Sequence, residues 1–172
     1  MGGISGFVYI GGGSFINCMN NGDVISNSRA GGIVGYEGQK IDVKNSYNLG
    51  NISGNEAGGI VGNDGCWSPN MNIINCYNTG VISGISNKIG GITGNGYGTM
   101  SIKNSFILSI KNYNTKVNSG ATTVTEDDFK NGIVLNNLNT YINYNEDGID
   151  TSDWLYWTKG NNGKPAFVHN GN

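Results

Sequence analysis

The chain has 172 residues, enough for one domain or a short repeat array with an appendage. Charged residues make up only 13%, against roughly a quarter in ordinary soluble domains, and ten Lys+Arg against twelve Asp+Glu leave a net charge of -2. No basic cluster exists to neutralise a phosphate backbone, which excludes a nucleic-acid binder, and no apolar run approaches the roughly 18 residues of a membrane span.

From its first residues the chain repeats itself. Gly2-Gly3-Ile4-Ser5-Gly6 returns as Gly31-Gly32-Ile33-Val34-Gly35, Gly58-Gly59-Ile60-Val61-Gly62 and Gly90-Gly91-Ile92-Thr93-Gly94, at steps of 29, 27 and 32 residues. That is the period of stacked repeat architectures. Aligned on this string, a second block comes into register: Phe15-Ile16-Asn17-Cys18-Met19-Asn20, Val43-Lys44-Asn45-Ser46-Tyr47-Asn48, Ile73-Ile74-Asn75-Cys76-Tyr77-Asn78 and Ile102-Lys103-Asn104-Ser105-Phe106-Ile107. A third follows at Gly22-Asp23-Val24, Gly50-Asn51-Ile52 and Gly80-Val81-Ile82. Thirty glycines and, by count, 29 asparagines recur in register, so they read as turn residues and not as disorder.

Short β-branched and aromatic segments between turns are strands, three per repeat. None can bury a face alone, so the repeats must stack. The fold predicted over 1–110 is all-β: a right-handed parallel β-helix, or β-solenoid, of about four coils. Alternation predicts three inward columns: Ile4, Ile33, Ile60 and Ile92; Phe15, Val43, Ile73 and Ile102; and Val24, Ile52 and Ile82. Lys44 and Lys103 set the outward parity of the second strand. That parity turns Asn17, Asn45, Asn75 and Asn104 into an internal amide ladder and Tyr47 inward, unless the chain bends at the asparagine and the aromatics point out. Each Gly-Gly pair is a corner with no room for a Cβ.

Past Asn104 the pattern decays, and 111–172 is predicted to be a linker with a small α+β C-terminal cap on the last coil. Asn112 to Thr123 reads as polar linker, and Thr125 as a helix N-cap followed by Glu126, Asp127 and Asp128. Asn131-Gly132 interrupts the helix, and Val134, Leu138, Tyr141 and Ile142 share one face of its continuation. Trp154 to Trp157 and Pro165 to Val168 read as a β-hairpin. The first coil has no cover of its own, which predicts association through the N-terminal coil or further repeats upstream. Since Gly2 opens directly on the motif, a fragment of a longer chain is expected.

Trp67 is the leading binding candidate, because it stands in the one long loop insertion, with Tyr36 and Tyr97 in nearby loops; an exposed aromatic can stack on a sugar or anchor a protein. The alternative is that Trp67 folds back over the side of the repeats. Glu37 and Asp64 stand six residues past their motif glycines in adjacent coils, carboxylates roughly 5–8 Å apart at strand spacing. Such a pair fits cleavage of a glycosidic bond, a weak calcium site, or solvated charges. Cys18 and Cys76 share a column two coils apart, roughly 9–10 Å, too far for a disulfide, so with Cys66 three free thiols are expected. His169, the one histidine, lies in the tail. No metal site, cofactor or catalytic constellation is expected.

The run Gly-Gly-Ile-Val-Gly, Ile-x-Asn-Cys-Tyr-Asn-Thr-Gly and Val-Ile-Ser-Gly, most complete over 58–84, closely resembles the GLUG repeat of bacterial surface proteins. The resemblance covers about residues 2–107. The end is similar to the tail that often follows such repeats, with a threonine-started helix, Leu138-Asn139, a tryptophan strand and Gly163-Lys164-Pro165. It implies a secreted or wall-anchored adhesin-like protein at the bacterial cell surface, of which this chain is a non-catalytic binding, adhesion or spacer module. The implied partner is a host glycan or surface protein. The alternative is a carbohydrate-active β-helix that cleaves polysaccharide with Glu37 and Asp64.

Overall fold

In the computed structural model the described residues are 1–8, 11–36, 38–64, 70–85, 87–96, 99–109 and 118–168, with backbone alone at 64, 70 and 96. The recurrent asparagine sets the local geometry. Asn17, Asn45, Asn75 and Asn104 all take the left-handed conformation, with φ of 55°, 47°, 58° and 42°, which asparagine tolerates better than other residues that carry a side chain. This bend cuts the second apolar block into two strands. The motif is cut likewise at its glycine pair, so a full repeat holds five short strands where alternation predicted three.

The first repeat gives β1 (Gly13–Ile16), β2 (Met19–Asn20), β3 (Val24–Ile25) and β4 (Arg29–Gly31). The second gives β5 (Ile41–Lys44), β6 (Tyr47–Asn48), β7 (Ile52–Ser53), β8 (Glu56–Gly58) and β9 (Val61–Asp64). The third gives β10 (Asn70–Ile74), β11 (Tyr77–Asn78), β12 (Ile82–Ser83), β13 (Ile89–Gly90) and β14 (Thr93–Gly96), and the last β15 (Thr99–Lys103) and β16 (Ser105–Leu108). Like pairs with like, in parallel: β1-β5-β10-β15, β2-β6-β11-β16, β3-β7-β12, β4-β8-β13 and β9-β14. The register sets Val43 between Phe15 and Ile73, and Ile52 between Val24 and Ile82. The protein is therefore mostly β, built on parallel sheets.

The predicted inward columns are found. Ile33, Ile60, Ile92, Val43 and Ile73 are fully buried in one cluster with Phe15 and Ile102, and Val24, Ile52 and Ile82 form a second with Ala30 and Ala57. Ile4, in the first copy of the motif, is half exposed.

The motif glycines are explained by space. None of the three at 58, 59 and 62 has a positive φ, but a Cβ at Gly58 would lie 1.9 Å from the Val61 carbonyl oxygen. At Gly59 it would lie 2.2 Å from the Gly91 oxygen and 2.4 Å from Asn78 Cγ, and at Gly62 2.4 Å from the Gly35 oxygen. Asn78 belongs to a second amide ladder, in which Asn20 Nδ2 donates to Asn48 Oδ1 and Asn48 Nδ2 to Asn78 Oδ1, both at 2.7 Å. The predicted ladder runs with the opposite polarity: Asn45 Nδ2 donates to Asn17 (2.6 Å), Asn75 to Asn45 (2.8 Å) and Asn104 to Asn75 (2.6 Å).

The bend at asparagine reverses the side-chain parity. Tyr47 and Tyr77 lie with the C-terminal segment, while Cys76, one residue earlier, lies in the interior cluster. The tyrosines are nonetheless buried, their rings stacked at 5.1 Å with planes 1° apart. Cys18 and Cys76 are free thiols, each with its backbone N–H bonded to a serine hydroxyl in the same column, Ser46 or Ser105. Burial pushes the Cys76 thiol up to about 12.

The C-terminal segment both ends the stack and runs along it. β17 (Ala121–Val124) pairs in parallel with β16, so part of the stretch read as linker is a strand of the repeat sheets. Asn118 completes the end: its Oδ1 accepts from the backbone N–H of Ile92 (3.0 Å) and Thr93 (2.9 Å). In the preceding repeat Ile60 and Val61 donate in the same way to the Ile92 carbonyl, so one side-chain amide replaces a missing repeat. α1 (Glu126–Lys130) begins with the expected Thr125 cap, closed into a box by Asp128, and α2 (Ile133–Tyr144) follows after Gly132 in the left-handed conformation. β18 (Trp157–Lys159) and β19 (Pro165–Phe167) form the expected hairpin. These four elements lie along the flank and do not cover the last coil alone. Phe129, Val134, Leu138, Trp154, Trp157 and Phe167 bury Tyr47, Ile74, Tyr77 and Phe106. No helix among the described residues is long and apolar enough to cross a membrane.

Candidate functional site

Of the residues singled out in the sequence, Trp67, Tyr97 and Glu37 lie outside the described residues, as do Cys66 and His169. Asp64 is described in its backbone, which pairs with Gly96 between β9 and β14. Tyr36 is described in full and is not isolated. Its ring stacks on Phe7 at 4.9 Å with planes 5° apart, and the Arg29 guanidinium lies 4.3 Å from its centre.

This grouping follows from the repeat. Phe7, Tyr36 and Asn63 each stand five residues past the first motif glycine, whereas Arg29, Glu56 and Lys88 each stand two before it. Stacking therefore makes two adjacent columns. Arg29 is opposite Glu56 in the pairing of β4 with β8. Arg29 Nε and Lys88 Nζ both donate to Glu56 at 2.9 Å, and Asn63 Nδ2 donates to the same carboxylate. Burial alone would raise the Glu56 carboxyl, but the bonds from Lys88 and Arg29 outweigh it and hold the group below its ordinary value. It stays ionised at neutral pH and is no proton donor. The corner thus sets an aromatic pair and a cation side by side, with Phe7 half exposed.

A second grouping sits where the last repeat meets the end of α2. Asn104, Tyr141, Tyr144, Asn145, Glu146 and Asp147 line a cleft of about 320 Å³. Tyr141 Oη donates to Asp147 Oδ2 at 2.6 Å, and Lys103 Nζ pairs with the other oxygen. The Lys103 bond, then that of Tyr141, holds Asp147 below the usual carboxylate range, while burial and the neighbouring carboxylate push the Tyr141 phenol up. Tyr144 is 80% exposed.

No family model, curated protein or solved structure matches the chain. Among the described residues, no three His, Cys, Asp or Glu side chains gather to hold a metal ion. The sequence reading passed over both Phe7 and the cleft. Phe7 was legible, since it aligns with Tyr36 in the repeat register. Tyr141 and Tyr144 are one helical turn apart on α2, but that Asn104 meets them depends on where α2 docks.

Proposed function

We propose that the chain is a right-handed parallel β-helix with an α+β segment along its flank, and that it is a non-catalytic binding or spacer module of an extracellular, bacterial surface protein of the GLUG-repeat kind it resembles. The observation that carries this reading is how the repeated motif is used. At Gly32, Gly59 and Gly62 the space a Cβ would need is filled by backbone of the neighbouring repeat, so the motif is scaffold, and a partner would meet side chains at the corners and on the flank. The Phe7–Tyr36–Arg29 stack is such a corner, suited to a sugar face or an apolar protein side chain.

The test is to present the purified chain to a panel of glycans and of host extracellular proteins and to assay the same glycans for new reducing ends. Saturable binding that weakens in Phe7→Ala and Tyr36→Ala, with no new reducing ends, is the expected result. New reducing ends that vanish in a Glu37→Ala, Asp64→Ala double variant would overturn the reading in favour of a polysaccharide-cleaving enzyme.

A further inference from the structure

We propose that the cleft between Asn104 and the end of α2 is a binding site for a neutral saccharide, sized for about one sugar ring. The inference rests on the reading of the chain as a binding module, but it uses other residues than the Phe7–Tyr36 corner.

A saccharide presents a C–H face that lies flat on an aromatic ring and a rim of hydroxyls that both donate and accept. Tyr144 supplies the ring, being the most exposed large hydrophobic side chain among the described residues, with its neighbour Tyr141 held in place by its bond to Asp147. At about 320 Å³ the cleft lies at the small end of ligand pockets, which run from roughly 300 to 1,000 Å³.

The rim is set by the amide ladder. Asn17 Oδ1 accepts from Asn45 and from the Leu155 N–H, Asn45 Oδ1 accepts from Asn75 and Trp157, and Asn75 Oδ1 accepts from Asn104. Asn104 Oδ1 is the last in line and accepts from no described residue, while its Nδ2 donates to Asn75 and to the Asn137 carbonyl. An amide whose N–H groups are both engaged, at the end of a chain of like bonds, is a polarised and fixed acceptor. It fits a ligand hydroxyl donor.

The charges decide the class. Asp147 is already paired with Lys103, which leaves no bare carboxylate pair for a cation, and Glu146 leaves the cleft a net negative charge that disfavours a phosphate or an acidic sugar. Each Asp147 oxygen holds one internal partner and keeps a lone pair for a hydroxyl. A neutral polyhydroxyl ligand satisfies all of these groups.

The experiment is amide chemical-shift mapping of the full chain with the methyl pyranosides of glucose, galactose, mannose and N-acetylglucosamine at millimolar concentration. At least one is expected to shift residues 140–147 together with the Asn104 side-chain amide. Tyr144→Ala is expected to weaken that binding at least tenfold, about 1.4 kcal/mol, with an unchanged melting temperature, while Tyr36→Ala leaves it intact. Tyr144→Phe should retain it, since the ring is what is used. Saccharide binding that is lost in Tyr36→Ala and kept in Tyr144→Ala overturns the cleft and leaves the binding module standing. Shifts at 140–147 produced by an acidic peptide or calcium, with none from the four glycosides, overturn the saccharide assignment. If nothing shifts the cleft, the site is overturned, and the glycan and protein panel then decides the module on its own.

Discussion

Trp157 Nε1 donates to Asn45 Oδ1 at 2.7 Å, across 112 residues of chain. The bond joins the hairpin to the amide ladder of the second repeat, and the Trp157 ring packs at 5.7 Å on both Tyr47 and Tyr77. Neither partner would be buried without the other. The C-terminal segment supplies the apolar cover that turns an outward tyrosine column into core, and the repeats supply the acceptor that a buried indole requires.

Trp157→Phe keeps most of that packing and deletes the donor. Chemical denaturation should show a loss of about 1–2 kcal/mol, the cost of a buried bond left half made, and Trp157→Ala a loss of about 3–5 kcal/mol. If the alanine variant melts like the parent, the flank is not packed as described.

The motif glycines give a sharper contrast. Gly59→Ala places a methyl against the Gly91 carbonyl and Asn78 and should cost at least about 1–3 kcal/mol, since backbone must move. Gly6, in the first copy, has nothing within 4 Å of its would-be Cβ. Gly6→Ala should therefore fall within about 0.5 kcal/mol of the parent. Equal melting temperatures for the two variants would remove space-filling as the reason for the motif.

One column holds residues of one type in two environments. Ile60 is fully buried and Ile4 half exposed. Ile60→Asp should abolish the cooperative unfolding transition, because the carboxylate would be buried without a partner, whereas Ile4→Asp should fold. Circular dichroism melts of both variants separate these outcomes, and a folded Ile60→Asp would place that residue outside the core.

Glu56 should give the acid limb of stability a definite sign. Its folded carboxyl lies below the ordinary value of 4.5, so the unfolded chain takes up the proton first as pH falls. Its stabilisation is thus present above 4.5 and is lost as pH falls from there through the lowered folded value. Urea midpoints measured from pH 7 down to pH 3 should drop more steeply for the parent than for Glu56→Gln. Parallel curves would show that the Arg29–Glu56–Lys88 column contributes no linkage.

By itself the sequence determined whatever is local or strictly periodic. A 27 to 32 residue step places like beside like, so the parallel pairing and the inward isoleucines at 33, 60 and 92 were legible. So were the Thr125 cap and the hairpin, whose signals lie within a few residues of one another. Tertiary structure alone decided the rest. Alternation presumes extended backbone, and the left-handed φ at Asn45 and Asn75 breaks it, sending Tyr47 and Tyr77 to the outer side. Whether such an outward tyrosine is surface or core depends on Trp157 and Phe167, about a hundred residues downstream, which no local pattern ties to it. Asn118 is the same case: nothing around it spells a cap, and its amide becomes one only because Ile92 and Thr93 have no further repeat to bond.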